Sequence, residues 1–249
     1  MPFVSRLPGI DLAYEILDGR GPLVMFCPGY ASDMQGTKAL ALEAWCKAQG
    51  RAMLRFDYAG HGASGGVFLE NGIGDWAADA AFVLEQVAPG QEVLLVGSSM
   101  GGWISLILGQ ALGARLVGLV LLAPAPDFTA RLLEVELPPE AQAEIRAKGV
   151  IYKPSEYGEP MPFSLALIER SAAHYVMTKP IAITAPVRIL HGMLDDAVPW
   201  ELSLQIVQKL SGADVRVSFI KAGDHRLSTA DDLKLLEQTV GALLGQDGG

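Results

Sequence analysis

The stretch EVLLVGSSMGGWISLILGQAL, residues 92–112, decides the fold of the chain. Its first residues form a short, almost wholly apolar run, which is typical of a β-strand buried on both faces. From residue 101 onward the apolar residues recur at helical spacing and predict an α-helix. A glycine-containing turn joins the two, so the stretch predicts a strand–turn–helix unit of the kind that builds a parallel sheet.

The rest of the chain repeats this alternation of short apolar runs and longer helical patterns. Strands are predicted at residues 12–17, 23–27, 52–56, 92–96, 116–122, 187–190 and 216–220. Helices are predicted at residues 37–49, 74–87, 101–112, 200–210 and 230–244. Ser228 or Thr229 can cap the last helix, because acidic residues and an apolar periodicity follow them. The alternation predicts an α/β fold with a mostly parallel sheet between helices, and the opening strands are expected to form an antiparallel edge.

One interval breaks the alternation. No strand is predicted between Ala123 and Pro186, where short helical pieces are joined by loops such as YKPSEYGEPMP. A connection this long needs a reason, and an active-site lid is a common one. The interval follows the strand that ends at Leu122, at the expected carboxyl edge of the sheet, where ligands bind in open α/β folds. We therefore expect a single domain over residues 1–249, with a helical lid inserted at about residues 124–185. The alternative is an insertion that only covers the core.

Charge and composition exclude several classes of function. The formal net charge is −9 without a cluster of basic residues, which argues against nucleic-acid binding. The chain contains no apolar run of the ~20 residues that span a bilayer. Its first residues lack a secretory or transit pattern, so we expect a cytoplasmic protein. The two cysteines, Cys27 and Cys46, lie in an apolar run and a helical pattern and are expected to be buried free thiols.

The turn of the opening stretch contains a candidate nucleophile. The pattern Gly-x-Ser-x-Gly fits only one frame, from Gly97 to Gly101, and its central serine is Ser99. A serine on a sharp turn between a strand and a helix is held in strained geometry with its hydroxyl lifted off the sheet. Glycines two positions away on either side leave room for close backbone packing. Ser98 is expected to be a hydrogen-bonding residue of the turn, and an ordinary glycine-rich turn is the alternative.

A serine hydroxyl needs a general base, and four histidines are candidates. In this architecture the expected order is serine, then acid, then histidine. His61 precedes the serine and is expected to shape a pocket wall or fill a turn. His174 lies in the expected lid, and His191 ends a strand and is expected to support the acid loop. His225, between the last strand and the last helix, is the predicted base.

The acid is expected on a loop between the serine and His225. HGMLDDAVPW offers the neighbours Asp195 and Asp196, and Asp224 lies next to the histidine. An acid here would hold the imidazole in the productive tautomer and stabilise the imidazolium. Sequence neighbours rarely point at each other within a loop, so the order of preference is Asp195, Asp196 and then Asp224.

Oxyanion stabilisation requires backbone N–H groups aimed at the developing charge. Met100 follows the nucleophile and is the first expected donor. The second is expected from the loop after an early strand, where Tyr30 follows Pro28 and Gly29. Pro28 itself has no N–H to offer, and Tyr30 is the expected donor. A plain Pro-Gly turn is the alternative reading of this loop.

Taken together, these segments resemble the α/β-hydrolase superfamily. CPGYASD, DYAGHGASGG, GSSMGG, HGMLDDAVP and GDHRLS occur in the order typical of the superfamily and span most of the chain. The superfamily often shows His-Gly-x-x-Asp-x-x-Val-Pro at the acid loop, and aligning this pattern with residues 191–199 makes Asp195 the acid. The resemblance implies a serine hydrolase with the triad Ser99, Asp195 and His225 and with Met100 and Tyr30 at the oxyanion.

A closer likeness is to the palmitoyl-protein thioesterase branch of the superfamily, whose known member is mitochondrial and also cleaves acyl-glucuronide esters. It implies cleavage of small acyl esters or thioesters, acylated proteins included, with no metal or organic cofactor. Four apolar residues are candidates to hold an acyl chain or to be core: Phe128, Leu132, Phe163 and Leu167. The alternatives are perhydrolysis or C–C bond hydrolysis on the same triad, and a non-catalytic protein that binds a small ligand. Oligomeric state is left open.

Overall fold

The computed structural model describes residues 1–154 and 159–245, and its elements alternate much as predicted. Ten strands occur in this part of the chain: β1 (Phe3–Leu7), β2 (Ile10–Leu17), β3 (Arg20–Cys27), β4 (Arg51–Phe56), β5 (Val93–Ser98), β6 (Leu116–Leu122), β7 (Val150–Lys153), β8 (Met161–Ser164), β9 (Val187–Gly192) and β10 (Val215–Ile220). Eight α-helices accompany them there: α1 (Thr37–Ala48), α2 (Ile73–Val87), α3 (Met100–Leu112), α4 (Phe128–Arg131), α5 (Pro139–Lys148), α6 (Leu165–Ser171), α7 (Glu201–Lys209) and α8 (Ala230–Leu243). Every predicted strand and helix has a counterpart in this set.

The central sheet has eight strands in the order β1-β2-β4-β3-β5-β6-β9-β10. Six neighbouring strands run parallel to one another: β4, β3, β5, β6, β9 and β10. At one edge of the sheet, β2 is antiparallel to β4 and β1 is antiparallel to β2. This is the α/β-hydrolase fold that the sequence predicts, including its antiparallel edge.

Alternate residues of the central strands pack on opposite faces of the sheet, which explains their continuous apolar sequences. In β5, Val93 and Leu95 belong to the core that contains Trp76 of α2, while Leu94 and Val96 belong to the core that contains Leu42 of α1. Both faces are therefore covered by helices, and most positions of these strands carry apolar side chains. Cys27 and Cys46 are both free and buried, as predicted.

The lid segment, defined as residues 124–185, contains strands that the sequence did not predict. The expectation of no strand between Ala123 and Pro186 is wrong, because β7 and β8 pair as an antiparallel hairpin beside α5 and α6. Each strand has only four residues, too few to display a clear alternation, and part of the loop that joins them (residues 155–158) lies outside the described residues. That this segment acts as a lid stays a prediction.

Four loops meet at the carboxyl edge of the parallel strands. Residues that follow β3, β5, β9 and β10 in the chain include Tyr30, Ser99, Asp195 and His225, respectively. Because parallel strands all end at one edge, the topology brings together side chains that are far apart in sequence. In residues 1–154 and 159–245, no helix is long and apolar enough to cross a bilayer.

Candidate active site

Ser99 sits on the turn between β5 and α3 in an unusual backbone conformation, with φ 53° and ψ −117°. A non-glycine residue with positive φ is uncommon and strained. Backbone hydrogen bonds hold the turn: the Ser99 N–H donates to the Leu122 carbonyl at 2.9 Å, and the Ser99 carbonyl accepts from Gly102 at 2.9 Å and Ala125 at 3.1 Å. The turn is thus fixed to β6 and to the start of the lid segment.

The two glycines of the motif are required by close packing. A Cβ atom added at Gly101 would lie 2.0 Å from the Cys27 carbonyl oxygen, and one added at Gly97 would lie 2.4 Å from the Gly101 oxygen. Such approaches are not possible for a side chain, so only glycine lets α3 pack this tightly on β3 and β5. The pattern that singled out Ser99 therefore has a direct steric cause.

A hydrogen-bonded chain runs from Ser99 through His225 to Asp195. The Ser99 Oγ lies 3.1 Å from His225 Nε2, and His225 Nδ1 lies 2.7 Å from Asp195 Oδ2. The carboxylate accepts from Nδ1–H, which leaves the Nε2 lone pair to accept from the serine hydroxyl. The three side chains are arranged as a nucleophile, a base and an acid that orients the base.

Asp195 is held by more than the histidine. Its side chain is fully buried, and its Oδ1 accepts from the backbone N–H groups of Ala197 at 3.0 Å and Val198 at 2.8 Å. Burial alone would raise the pKa of Asp195, but the hydrogen bonds from His191 and His225 outweigh it and hold the pKa well below its ordinary value. The acid is therefore a charged acceptor across the neutral pH range.

His191 is a second histidine on the same carboxylate. Its buried ring places Nε2 at 3.1 Å from Asp195 Oδ2 and 3.2 Å from the Val198 carbonyl oxygen. Two acceptors at Nε2 require a proton there, so Nδ1 accepts from the Ser203 hydroxyl at 2.7 Å. His191 supports the acid loop, as expected, whereas no pattern in the sequence pointed to Ser203 of α7.

The other two acid candidates lie apart from this chain of hydrogen bonds. Asp224 folds back on its own loop, where its Oδ1 accepts from the backbone N–H groups of Arg226 and Leu227, both at 3.0 Å. Asp196 is exposed to solvent. The geometry thus pairs His225 with Asp195 alone among the three aspartates.

The two predicted oxyanion donors flank Ser99. Met100 opens α3, where the first N–H groups of a helix lack intrahelical partners. Tyr30 follows Gly29, and a Cβ added at Gly29 would lie 3.5 Å from the Ser99 Cβ, so the loop after β3 passes directly beside the serine. Neither the Met100 nor the Tyr30 N–H donates a hydrogen bond to any residue within 1–154 and 159–245.

Comparisons with known proteins show the family of this chain. A family model described as Hydrolase_4, serine aminopeptidase S33, matches residues 20–153. The human protein named palmitoyl-protein thioesterase ABHD10, mitochondrial, is 38% identical over 98% of this chain and 80% of its own length. This chain belongs to the α/β-hydrolase family.

The structure of the hydrolase is similar to several solved structures. Mouse α/β hydrolase domain-containing protein 10 superposes with a TM-score of 0.90 at 39% identity and covers 98% of each chain. A putative hydrolase from Agrobacterium vitis S4 superposes with a TM-score of 0.91 at 39% identity, covering 98% of this chain and 97% of its own. Est1E of Butyrivibrio proteoclasticus, at 20% identity and a TM-score of 0.80 over 99% and 98% of the two chains, shares the fold.

The expected cytoplasmic location of this hydrolase is wrong by the same comparison. The curated relatives from human, mouse, rat, cattle and orangutan all carry names that describe a mitochondrial protein. The expectation rested on the pattern of the first residues. The sequence of a folded domain does not indicate its cellular compartment, because targeting is directed by segments separate from the core.

The remaining histidines of the hydrolase lie outside the hydrogen-bonded chain from Ser99 to Asp195. The buried ring of His61 packs against Tyr58, Phe68 and Trp76, and burial lowers the pKa of His61 to about 4 despite its hydrogen bond to the Ala59 carbonyl. It also lines a cleft of about 240 Å³ together with Phe68 and Pro162. His174, in the lid segment, accepts from the Trp103 indole through its backbone carbonyl. His61 thus forms part of a pocket wall, which is one of the two roles expected for it.

The four apolar candidates divide into two pairs. Leu132 and Leu167 are buried in core clusters, Leu132 within the lid segment and Leu167 in the main core of the hydrolase. Phe128 and Phe163 instead pack on the Tyr30 ring, with centroid distances of 5.9 and 5.2 Å. These two phenylalanines are therefore nearer to the loop that follows β3, and their contact with an acyl chain stays a prediction.

Proposed function

We propose that this hydrolase cleaves carboxylic esters and thioesters through an acyl-enzyme on Ser99. The observation that carries the proposal is the continuous hydrogen-bonded chain from the Ser99 hydroxyl to His225 and Asp195. A serine hydroxyl is a weak nucleophile by itself, and an aligned base is what makes it reactive. The strained turn and the orphan N–H groups beside it add support.

In the first half of the reaction, Ser99 Oγ attacks the acyl carbonyl carbon and its proton passes to His225 Nε2. The carbonyl oxygen becomes an oxyanion, which accepts hydrogen bonds from the N–H groups of Met100 and Tyr30. Asp195 stabilises the imidazolium without taking its proton. The tetrahedral intermediate then collapses, and the leaving alcohol or thiol takes the proton from His225.

In the second half, a water molecule attacks the acyl-enzyme. His225 Nε2, now neutral, accepts a proton from the water as the new C–O bond forms. The second tetrahedral intermediate expels Ser99 Oγ, which recovers its proton from His225, and the carboxylic acid leaves. Ser99, His225 and the attacking water account for every proton transfer of the cycle, so the mechanism requires no cofactor.

Thioesters of long acyl chains are the proposed physiological class, because relatives of similar sequence are named palmitoyl-protein thioesterases. Phe128 and Phe163 pack on the Tyr30 ring and offer an apolar surface for an acyl group near the proposed oxyanion donor. Acylated cysteine peptides and small acyl esters fit the same chemistry, because both present a carbonyl with a thiol or alcohol leaving group.

A hydrolysis assay tests this proposal. Purified protein is mixed with an S-palmitoyl cysteine peptide and with p-nitrophenyl esters of increasing chain length, and thiol or nitrophenol release is followed. We expect wild-type protein to hydrolyse both classes and Ser99→Ala to lose the activity, while Ser98→Ala retains it. No hydrolysis of any substrate by folded wild-type protein would contradict the proposal.

A further inference from the structure

The side chain of Tyr30 connects the loop beside Ser99 to the lid segment. Its hydroxyl donates a hydrogen bond to the Pro162 carbonyl oxygen of β8 at 2.6 Å. Its ring stacks on Phe163, the next residue of β8, with an interplanar angle of 12°. Burial raises the pKa of Tyr30, so the hydroxyl keeps its proton and remains a donor. Tyr30 thus follows Gly29, which lies beside Ser99, and contacts the lid segment through its own side chain.

The backbone around Tyr30 is a tight turn with an unfavourable residue. The Ser32 N–H donates to the Gly29 carbonyl at 3.2 Å, which makes Tyr30 and Ala31 the two central residues. Ala31 has φ 53°, in the left-handed region. The third residue of such a turn is normally glycine, because a Cβ atom disfavours positive φ. The turn therefore depends on contacts outside itself to keep this shape.

The shape of this turn sets where the Tyr30 N–H points. The N–H belongs to the peptide between Gly29 and Tyr30, and Gly29 packs beside the Ser99 Cβ. If Ala31 relaxed, the peptide between Tyr30 and Ala31 would rotate and the turn would change shape. Unless the Tyr30 side chain were held, this change would shift Tyr30 as a whole, and its N–H would move relative to the serine. The hydrogen bond from the Tyr30 hydroxyl to the Pro162 carbonyl holds the Tyr30 side chain against the lid segment.

We propose that Tyr30 is a positioning residue, whose side chain ties the strained turn to β8 of the lid segment and so aims its own N–H at the oxyanion. The inference rests on the proposed function, because it assigns a further role within the same site. It implies that the oxyanion hole is complete only while β8 is docked on Tyr30. The lid segment then supports the chemistry of the site.

The first test is Tyr30→Phe, which removes the hydroxyl and keeps the ring that stacks on Phe163. We expect kcat on p-nitrophenyl acetate to fall about tenfold with KM within about twofold, because a misaimed oxyanion donor weakens the transition state more than substrate binding. Tyr152→Phe is the matched control, since it removes an exposed hydroxyl from β7 of the same hairpin, and its kcat should equal that of the wild type.

The second test is rescue by Ala31→Gly. Glycine adopts positive φ without strain, so the turn should keep its shape without the tyrosine hydroxyl. We expect the kcat of Tyr30→Phe/Ala31→Gly to be at least about threefold higher than that of Tyr30→Phe alone. If the role of the hydroxyl were purely structural, the second substitution would not restore kcat.

Three results would overturn the inference. These are a Tyr30→Phe protein with wild-type kcat, a loss of kcat that Ala31→Gly leaves unchanged, and a Tyr30→Phe protein that no longer folds, since the hydroxyl would then support the whole domain. The failure of the proposed function looks different, because the wild-type protein itself would then hydrolyse no ester.

Discussion

Asp195 and Asp196 are neighbours in the chain but lie in very different environments. The Asp195 side chain is fully buried and accepts from two histidines and two backbone N–H groups, whereas Asp196 is exposed. The residues alone left the pair open and ranked Asp195 first, and only the resemblance made that choice firm. Loop conformation decides which of two adjacent carboxylates turns inward, and no local pattern encodes it.

Replacing each aspartate separately distinguishes their roles. We expect Asp195→Asn to lower kcat about 10³- to 10⁴-fold, because an amide favours the wrong histidine tautomer and leaves the imidazolium unstabilised. Asp196→Asn, the matched control, should change kcat by less than about twofold, as is usual for an exposed side chain. Steady-state hydrolysis of p-nitrophenyl acetate measures both. A severe loss in Asp196→Asn would reverse the assignment.

The low pKa of Asp195 also predicts how stability depends on pH. Folding lowers the pKa of this carboxyl below its value of about 4 in the unfolded chain. The carboxylate therefore stabilises the native state at pH values above about 4, and this contribution is lost as the pH falls toward the pKa of the folded state. We expect the free energy of unfolding to fall more steeply between about pH 4 and pH 2 in the wild type than in Asp195→Asn. Urea denaturation at several pH values measures this, with Asp196→Asn expected to follow the wild type. Equal slopes in wild type and Asp195→Asn would contradict it.

Among the helices, α8 has the most complete start signal. The Thr229 hydroxyl accepts from the Asp232 N–H at 3.3 Å, while the Asp232 carboxylate accepts from the Thr229 N–H at 3.0 Å. Of the two caps that the sequence allowed, Ser228 and Thr229, the second is the one used. The cap follows His225 by four residues, so it fixes the end of the loop that carries the predicted base.

Removing this cap should weaken the fold. We expect Thr229→Ala to lower stability by about 1 kcal/mol, which corresponds to a fall in Tm of about 2–4 °C for a chain of this size. Thr239→Ala is the control in the same helix, because the Thr239 hydroxyl only bonds back to the Leu235 carbonyl and alanine favours a helix. Differential scanning calorimetry compares the two. A larger loss in Thr239→Ala than in Thr229→Ala would refute the capping role.

Some elements could be predicted from the sequence and others could not, for physical reasons. β6 occurs at the predicted residues, Leu116–Leu122, because a strand buried on both faces must be apolar throughout. β1 lies at the exposed edge of the sheet and alternates between exposed and half-buried residues, so its apolar signal is weak. The hairpin of β7 and β8 forms through tertiary contacts of the lid segment, and its four-residue strands give no period to detect.

At the level of the whole hydrolase, the parallel sheet explains why the candidate site could be assembled from sequence. The order serine, acid, histidine follows from loops that leave successive parallel strands at one edge. Contacts between remote side chains could not be predicted in this way. Ser203 behind His191 and Pro162 against Tyr30 join elements whose relative positions depend on the packed structure.

The most direct test of the account is covalent labelling with a fluorophosphonate followed by peptide mass spectrometry. The reagent reacts with a serine that is activated by a base, and its adduct identifies the nucleophile. We predict one adduct, on Ser99, in the wild type, with labelling abolished in Ser99→Ala and strongly slowed in His225→Ala. An adduct on Ser98, or an unlabelled Ser99 in folded wild-type protein, would contradict the account.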